Sequence, residues 1–404
     1  ALMLAPVEHS FSVVRFLLLG TILACAASAR AQQRTGQADT VPEIHFGLVE
    51  PPVVAQRDVT VEAPISAQGT EVKPLECSGM VWADGRLILV SDRHGLALFT
   101  CPIDLEQMRI GMPSPQVVIG NEQELLDDAE CLVVSRLAGT RRGREQVVYV
   151  MCSLSNDPDE LPLPKRRHML RVALRDLDPA RVVRPVVLNA GRLRDLINER
   201  FEAVGIEPYR TFHPDFAGSD KNTYRWGNVE GMCFAPDGSR LLLGMRNPLL
   251  GSHALMAVVV GVEEAFDVRD ANKLDLVDLF AIDLGDRGVS DLCWDPRTQG
   301  YLITAARSNG PKLSKDQPFP PNTLDSALFW WSGHKQDRAI LVARFPDMKV
   351  EAVCRLSDTA FIAVASDEGD VSEGRPQQQQ SVITVMYFTG INIGFQDRID
   401  VSQR

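Results

Sequence analysis

Polar side chains recur at two fixed positions of a short motif that the chain contains five times. The first position precedes an apolar run in each copy and holds Ser78, Glu130, Glu230, Ser290 and Glu351. The second position follows the next apolar run and holds Asp92, Ser153, Arg246, Arg307 and Asp367. If the copies surround a common axis, both sets of side chains converge on that axis and form one site.

Carboxylates gathered in one narrow site repel each other, and three arrangements can relieve the repulsion: a divalent cation, pairing with arginine, or raised pKa values. Oxygen ligands select calcium or magnesium over zinc or copper, so Glu130, Glu230 and Glu351 are candidate metal ligands. Arg246 and Arg307 can bind a carboxylate or phosphate through their planar forks, or form ion pairs that only tie the copies together. The residues leave these arrangements open.

Candidate catalytic and binding roles follow from the same residue types. The candidate catalytic residues are one acid and two cations, Glu230, Arg246 and Arg307. The candidate substrate contacts lie near the second motif position and are Asp92, His253 and Asp367. The chain contains no G-x-S-x-G sequence, so the pattern of an α/β serine hydrolase is missing.

The apolar runs of the motif have the length and the turn residues of β-hairpins. In the first copy, residues 78–82 and 87–90 flank the turn Asp84-Gly85. Asp-Gly turns between short apolar runs are a strong hairpin signal. The copies begin 52, 100, 60 and 61 residues apart, counted between residues 78, 130, 230, 290 and 351. Apart from the long interval, this is the spacing of propeller blades.

We therefore predict an all-β fold, a β-propeller of five blades with room for a degenerate sixth blade near either end. Residues 71–390 form the propeller, residues 32–70 close the ring, and residues 391–404 form a C-terminal tail. The long interval contains an insertion at 191–227 between blades two and three. The first part of the insertion has the spacing of a helix, with apolar residues at Leu193, Leu196, Ile197 and Phe201.

Residues 1–31 have the pattern of an export signal peptide, with Arg15 before the apolar run 16–27 and Ala29-Arg30-Ala31 as the cleavage pattern. We expect a periplasmic or secreted protein without a transmembrane span, because the run is shorter than the about 20 residues that cross a bilayer. A lipoprotein anchor at Cys25 is the alternative. Seven cysteines remain after cleavage and cannot all pair internally, so we predict no disulfide framework.

The formal net charge of −11 argues against a nucleic-acid-binding protein, because phosphate recognition depends on lysine and arginine. Two short basic runs, at 141–144 and 165–167, lie beside turn residues and are interpreted as solvated loops. We expect a monomer whose partner is a small or anionic molecule or another protein.

Two stretches resemble a bacterial propeller family that is defined only as a domain of unknown function. They are residues 228–232 with 242–248, and Glu351 with 366–369, within a likeness that covers roughly residues 70–390. That family is distantly similar to phytase-like esterases and SdiA-regulated propellers, whose blades open as Ser78-Gly79-Met80 does here. The similarity implies calcium and the hydrolysis of phosphate or carboxylic esters, and it carries no catalytic residue over.

Two functions fit the sequence. The first is a metal-assisted hydrolase of phosphate or carboxylic esters, with calcium or magnesium and a site at the central channel. The second is a non-catalytic envelope protein that binds a partner or a carbohydrate through the propeller faces, with contacts from Tyr209, Tyr224 and Trp226.

Overall fold

Short apolar strands separated by turns fold into five antiparallel sheets, which are the blades of a β-propeller. The fold class predicted from the repeat is confirmed, and the number of blades is five. The structure is a computed structural model that describes residues 51–66, 69–92, 94–117, 125–135, 146–155, 164–177, 183–206, 209–210, 224–225, 227–307, 325–346, 348–367 and 381–391.

The chain begins its described part in the last blade and then builds the others in order. The first two strands are β1 (Val53–Ser66) and β2 (Gly69–Pro74). Blade 1 contains β3 (Cys77–Ala83), β4 (Arg86–Ser91), β5 (Ala97–Asp104), β6 (Arg109–Ile110) and β7 (Ser114–Val117). Blade 2 contains β8 (Ala129–Val134), β9 (Val147–Cys152), β10 (His168–Ala173) and β11 (Val186–Asn189).

A helix and two very short strands separate blades 2 and 3, namely α1 (Gly191–Ala203), β12 (Tyr209–Arg210) and β13 (Tyr224–Arg225). Blade 3 contains β14 (Asn228–Phe234), β15 (Leu241–Asn247), β16 (His253–Val260), the connecting helix α2 (Val262–Val268) and β17 (Asp275–Asp283). Blade 4 contains β18 (Gly288–Asp295), β19 (Gly300–Ala306), β20 (Ser326–Trp331) and β21 (Ile340–Phe345). Blade 5 contains β22 (Val350–Arg355), β23 (Phe361–Ser366), β24 (Ser381–Tyr387), β1 and β2.

The first strand of each blade, called the inner strand below, lies next to the inner strands of both neighbouring blades. Strand β3 contacts β8 and β22, and the ring continues through β14 and β18. The five inner strands therefore surround the central channel. Residues at equivalent positions of these strands lie at the same level of the channel.

Five clusters of buried apolar residues form the core, one between each pair of neighbouring blades. The cluster between blades 1 and 2 includes Ile88 and Leu132, and the cluster between blades 4 and 5 includes Leu302 and Val353. The other three clusters fill the remaining gaps between blades. Because successive residues of a strand point to opposite faces of its sheet, each central strand supplies side chains to two clusters.

Strand β1 completes blade 5 from the other end of the chain. It pairs antiparallel with β24, with Arg57 opposite Ile383. Just before β3, the backbone amide of Glu76 donates a hydrogen bond to Ser381 Oγ at 2.6 Å. Pairing between the two ends of the described chain covers the edge of β24, which would otherwise present unpaired backbone groups.

The helix predicted in the insertion is present as α1. Its apolar residues Leu193, Ile197 and Phe201 are buried in the cluster between blades 2 and 3. The seven cysteines in the described part of the chain are free thiols.

Several sequence predictions fall on residues that the structure does not describe. They concern the export signal at 1–31, the lipoprotein alternative at Cys25, the side chains of Tyr209, Tyr224 and Trp226, and the tail from residue 392. Within the described ranges, no helix is long and apolar enough to span a membrane.

Candidate functional site

The pairing of each inner strand with the second strand of its blade skips one residue of the inner strand, at the same place in all five blades. In blade 3, pairing passes from Val229 and Met245 directly to Gly231 and Gly244, so Glu230 has no partner in the ladder. The same shift isolates the residues of the first motif position in the other blades: Ser78, Glu130, Ser290 and Glu351. A bulge of this kind re-aims a side chain. These five residues surround the end of the channel that we call the mouth.

Arg246 joins blades 3, 4 and 5 at the mouth. Its Nη2 donates to Glu351 Oε1 at 2.7 Å, and its Nη1 lies 3.0 Å from Glu230 Oε2. Nη1 also donates to Ser290 Oγ. The guanidinium is buried, which opposes its charge, but Glu230 and Glu351 outweigh that effect and raise the pKa of Arg246. Both terminal nitrogens are therefore occupied by protein groups.

Lys349 adds a second cation beside Glu351. Its Nζ lies 2.7 Å from Asp367 Oδ2 and 3.0 Å from Glu351 Oε1. Burial opposes the charged ammonium, yet Asp367 and Glu351 raise the pKa of Lys349 well above its usual value. Glu351 is thus held by two cations from different blades.

Glu230 is held on its other side by Asn228, whose Nδ2 donates to Glu230 Oε1 at 2.7 Å. Burial raises the pKa of Glu230 to about 8, although Arg246 favours the ionised form. Glu351 and Asp128 repel the ionised form and add to the rise. The Glu230 carboxyl therefore takes up a proton at a higher pH than an ordinary glutamate does.

Glu130 and Asp92 lack the partners that Glu230 and Glu351 have. Glu130 forms no hydrogen bond or ion pair with a described residue, and the buried Oδ1 of Asp92 has no hydrogen-bond partner. Burial and the nearby carboxylate of Asp128 raise the pKa of Glu130 well above its usual value. Burial and Asp367 do the same for the pKa of Asp92, while Lys349 opposes the rise. Both carboxyls are therefore protonated at a higher pH than ordinary acidic side chains.

A hydroxyl cluster lies beside them in blade 2. Asp128 accepts hydrogen bonds from Ser153 Oγ and, at 3.0 Å, from Ser155 Oγ. Arg166 Nη1 lies 3.1 Å from Asp128 Oδ2 and donates to Ser155 Oγ at 3.0 Å. This contact corrects the interpretation of the run 165–167 as a solvated loop, because the Arg166 side chain is only 17% exposed and pairs with Asp128.

Asp291 ends the polar part of the channel. Its carboxylate accepts hydrogen bonds from the backbone amides of Leu292 at 2.7 Å and Val353 at 2.9 Å. Burial raises the pKa of Asp291 well above its usual value, although these amides favour the ionised form. Since it directly follows Ser290 along β18, Asp291 lies one level below the mouth.

Carboxyl groups outnumber cationic side chains around the described mouth. The carboxyls are Asp92, Asp128, Glu130, Glu230, Glu351 and Asp367, and the cations are Arg166, Arg246 and Lys349. Because the cations are each held by carboxylates, the mouth attracts cations and neutral molecules more readily than anions.

The structure brings Glu130, Glu230, Arg246, Glu351, Asp92 and Asp367 together, but it places two other candidates elsewhere. In blade 3, pairing skips Arg246 between the pairs Asn228–Asn247 and Val229–Met245. Blade 4 pairs Gly288 with Ala306 and Val289 with Ala305 and skips no residue, so it has no counterpart of Arg246. Arg307 lies one residue further, is 48% exposed and faces Asp325 at 3.8 Å. His253 is exposed at the start of β16 and contacts Ser252.

The predicted metal ligands do not form a suitable donor set. Arg246 occupies oxygens of both Glu230 and Glu351, which leaves only Glu130 of the three without a partner. In the described residues, no group of three or more His, Cys, Asp or Glu side chains is arranged to hold a metal ion. Calcium or magnesium binding remains a prediction.

The sequence did not indicate Asn228, Lys349 or Ser155. Lys349 precedes its strand by one residue and therefore falls outside both motif positions. Asn228 stands two residues before Glu230, and that spacing on one strand face was the signal that could have found it.

No protein-family model and no curated protein matches the chain. Solved structures are similar only at low identity. The PQQ-bound aldose sugar dehydrogenase of Streptomyces coelicolor is 11% identical, with 83% of this chain and 99% of that chain covered and a TM-score of 0.38. A GH43 β-1,3-galactosidase with galactodeoxynojirimycin is 9% identical, with 85% and 98% covered and a TM-score of 0.38. The β-propeller domain of Cps50 (Swd1) from Myceliophteria thermophila is 10% identical, with 80% and 85% covered and a TM-score of 0.30. These values bring no activity, ligand or site residue to this chain.

Proposed function

We propose that the protein is a hydrolase of uncharged carboxylic esters whose site is the channel mouth. The observation that carries the proposal is Glu130, a carboxyl with a strongly raised pKa and no described partner, next to the similar carboxyl of Asp92. Groups with pKa values shifted in this way are suited to proton transfer at neutral pH, and they gather at catalytic sites.

The chemistry requires one protonated and one ionised carboxyl, which is the state that two mutually repelling carboxyls reach when the first proton leaves. The ionised group takes a proton from water as the water oxygen bonds to the ester carbonyl carbon. The protonated group donates its proton to the alcohol oxygen as the carbon–oxygen bond breaks. One proton is taken up and one is released, and each carboxyl ends in the state from which the other began.

The charge around the mouth selects the substrate class. Phosphate esters are anions, and Arg246, the cation that the sequence offered for them, is occupied by Glu230 and Glu351. The surrounding carboxyls repel a further negative charge. The proposal therefore keeps the carboxylic esters of the sequence-based expectation and favours them over phosphate esters. We expect this reaction in the periplasm or outside the cell, as the export-signal pattern at 1–31 predicts.

Hydrolysis of para-nitrophenyl acetate and para-nitrophenyl phosphate by the purified protein tests the proposal. We expect turnover of the acetate only, and Glu130→Gln to lower kcat by about 100-fold, because a positioned acid or base contributes that much. The matched control is Glu264→Gln, whose carboxylate is 58% exposed and pairs with Lys273 on the surface. It should keep the wild-type kcat.

Two outcomes would overturn the proposal. Full activity of a folded Glu130→Gln variant would remove the proposed acid and base. Saturable binding of the acetate by a protein that never releases nitrophenol would instead support the second candidate function, binding without turnover. Calorimetric titration with calcium chloride, before and after the Glu130 substitution, tests whether a cation enters beside this carboxyl.

A further inference from the structure

The half of the channel beyond Asp291 contains a cavity that the proposed hydrolysis does not use. It has a volume of about 590 Å³ and is lined by residues from all five blades. It opens where the inner strands end and the hairpin turns begin, as at Gly85 and Pro236. Ligand pockets for small molecules typically have volumes of about 300–1,000 Å³.

Asp291 separates this cavity from the mouth. Its side chain is 1% exposed and accepts hydrogen bonds from the amides of Leu292, in its own strand, and of Val353, in the neighbouring inner strand of blade 5. Leu292, the next residue of the strand, lines the cavity. The channel therefore has a polar end and an apolar end with a buried carboxyl between them.

Aromatic side chains occupy one position of the inner strands at the apolar end. Trp82, Phe234 and Trp294 stand four residues after Ser78, Glu230 and Ser290, and all three line the cavity. Each is only partly buried, and each also packs against an apolar cluster between two blades. Trp294 is fixed edge-on against Tyr301, with ring centroids 5.0 Å apart. Rigid aromatic surfaces of this kind bind flat apolar molecules at low entropic cost.

The thiols at the level above the aromatic side chains add apolar surface. Cys233, Cys293 and Cys354 line the cavity at equivalent positions of three consecutive inner strands. Burial raises the pKa of Cys293 and of Cys354 well above the usual value, so both thiols stay protonated. A protonated cysteine in such a wall behaves as a small hydrophobic residue.

The cavity offers no cation to an anionic ligand within the described residues. Arg355, a lining residue, donates from Nε to Asp295 Oδ1 at 2.9 Å and from Nη1 to the Phe388 carbonyl at 2.7 Å. The other charged lining residues are Asp84 and Asp358 at the turns. A ligand with a negative charge would meet two carboxylates and no available partner.

We propose that this cavity binds one uncharged, flat and largely apolar small molecule, held between the aromatic side chains of Trp82, Phe234 and Trp294. The site is distinct from the channel mouth and does not depend on the proposed hydrolysis. Burial of apolar area supplies the affinity, and the partly exposed aromatic side chains lose their remaining exposure on binding.

Titration of the purified protein with prodan, an uncharged naphthalene dye, tests the proposal. We expect saturable binding with a blue shift of the dye emission, and anilinonaphthalene sulfonate, an anionic naphthalene dye, should bind more weakly. Trp82→Ala and Trp294→Ala should each weaken prodan binding by about tenfold or more, because each removes a large aromatic contact. Tyr387→Ala is the control, since Tyr387 is 44% exposed at the end of β24 and is not among the residues that line the cavity.

Circular dichroism identifies variants that fail to fold, and Trp82→Leu, which keeps an apolar side chain, serves as a milder second variant. Glu130→Gln should bind prodan as the wild type does, because the mouth is a separate site. The proposal is overturned if the folded wild type binds no prodan saturably, if both tryptophan variants bind it unchanged, or if the anionic dye binds more tightly than prodan.

Discussion

Arg246 supplies the positive charge that allows Glu230 and Glu351 to lie together in the channel. Lys349 shares Glu351 with it, so four charged side chains from blades 3 and 5 form one buried network. Burying ions is costly, and such a network is stable only when every member is paired. Removing one carboxylate therefore costs more than the energy of one contact, because it leaves a buried cation with fewer partners.

We expect Glu351→Gln to lower the free energy of unfolding by about 3 kcal/mol, in the range measured for broken buried ion pairs. Urea unfolding followed by fluorescence measures the change. Asp267→Asn is the control: its carboxylate pairs with Arg171 at 2.8 Å but is 52% exposed. Breaking that surface pair should cost less than about 1 kcal/mol. Equal losses in the two variants would contradict the assignment of the network as buried and coupled.

At the scale of the strands, a single extra residue per inner strand aims five side chains at the mouth. The arrangement depends on a close approach of blades 3 and 4, where a Cβ on Gly288 would lie 2.1 Å from the backbone oxygen of Arg246. Only glycine permits this contact, since backbone atoms cannot move aside as a flexible side chain can. The position of Arg246 is therefore coupled to the residue at 288.

We expect Gly288→Ala to cost about 1–3 kcal/mol of stability, typical of overpacking, and to lower kcat for the ester, because the end of β15 that carries Arg246 must shift. Gly300→Ala is the matched control at the other end of the same hairpin. Its Cβ would lie 2.4 Å from the Trp330 ring, away from the mouth. It should lose stability yet keep the wild-type kcat when folded. The same loss of kcat in both variants would show that Gly288 has no specific role in positioning the site.

The strands and turns were predictable where neighbouring residues in the sequence determine them. Apolar runs joined by turns such as Asp84-Gly85 predicted the hairpins, and the residues opening each run marked the mouth. The bulges were not predictable, because a shift of one residue leaves the apolar runs unchanged. Arg307 was grouped with Arg246 for a related reason: counting from the apolar run cannot show that the second strand of blade 3 has an extra residue, Arg246, which blade 4 lacks.

At the scale of the whole molecule, the ring holds several carboxyls whose pKa values are raised by burial. Their folded-state values exceed the unfolded values, so the folded protein binds more protons than the unfolded chain. For Glu230 this holds between the ordinary value of 4.5 and about 8. These groups therefore contribute most to the free energy of unfolding at the low end of this pH range. Their contribution is lost as the pH rises toward the folded-state pKa.

Ring closure could be predicted only in part. The pairing of β1 with β24 joins residues more than three hundred positions apart, such as Arg57 and Ile383, and no local pattern specifies that register. The expectation that an N-terminal segment closes the ring came from the exposed edge that an open sheet would leave. The apolar cavity below Asp291 was likewise not predicted, although its three aromatic residues stand in the repeated motif.

The pH dependence of unfolding for the wild type and Glu130→Gln measures whether the pKa of Glu130 is raised in the folded protein, as its burial near other carboxyls requires. Urea unfolding between about pH 5 and about pH 8 should show that the free energy of unfolding of the wild type falls as the pH rises. The free energy of unfolding of the variant should fall less steeply, by up to about 1.4 kcal/mol per pH unit. Glu264→Gln should follow the wild type. Identical slopes for the wild type and Glu130→Gln would contradict the account, because Glu130 would then titrate in the folded protein as it does in the unfolded chain.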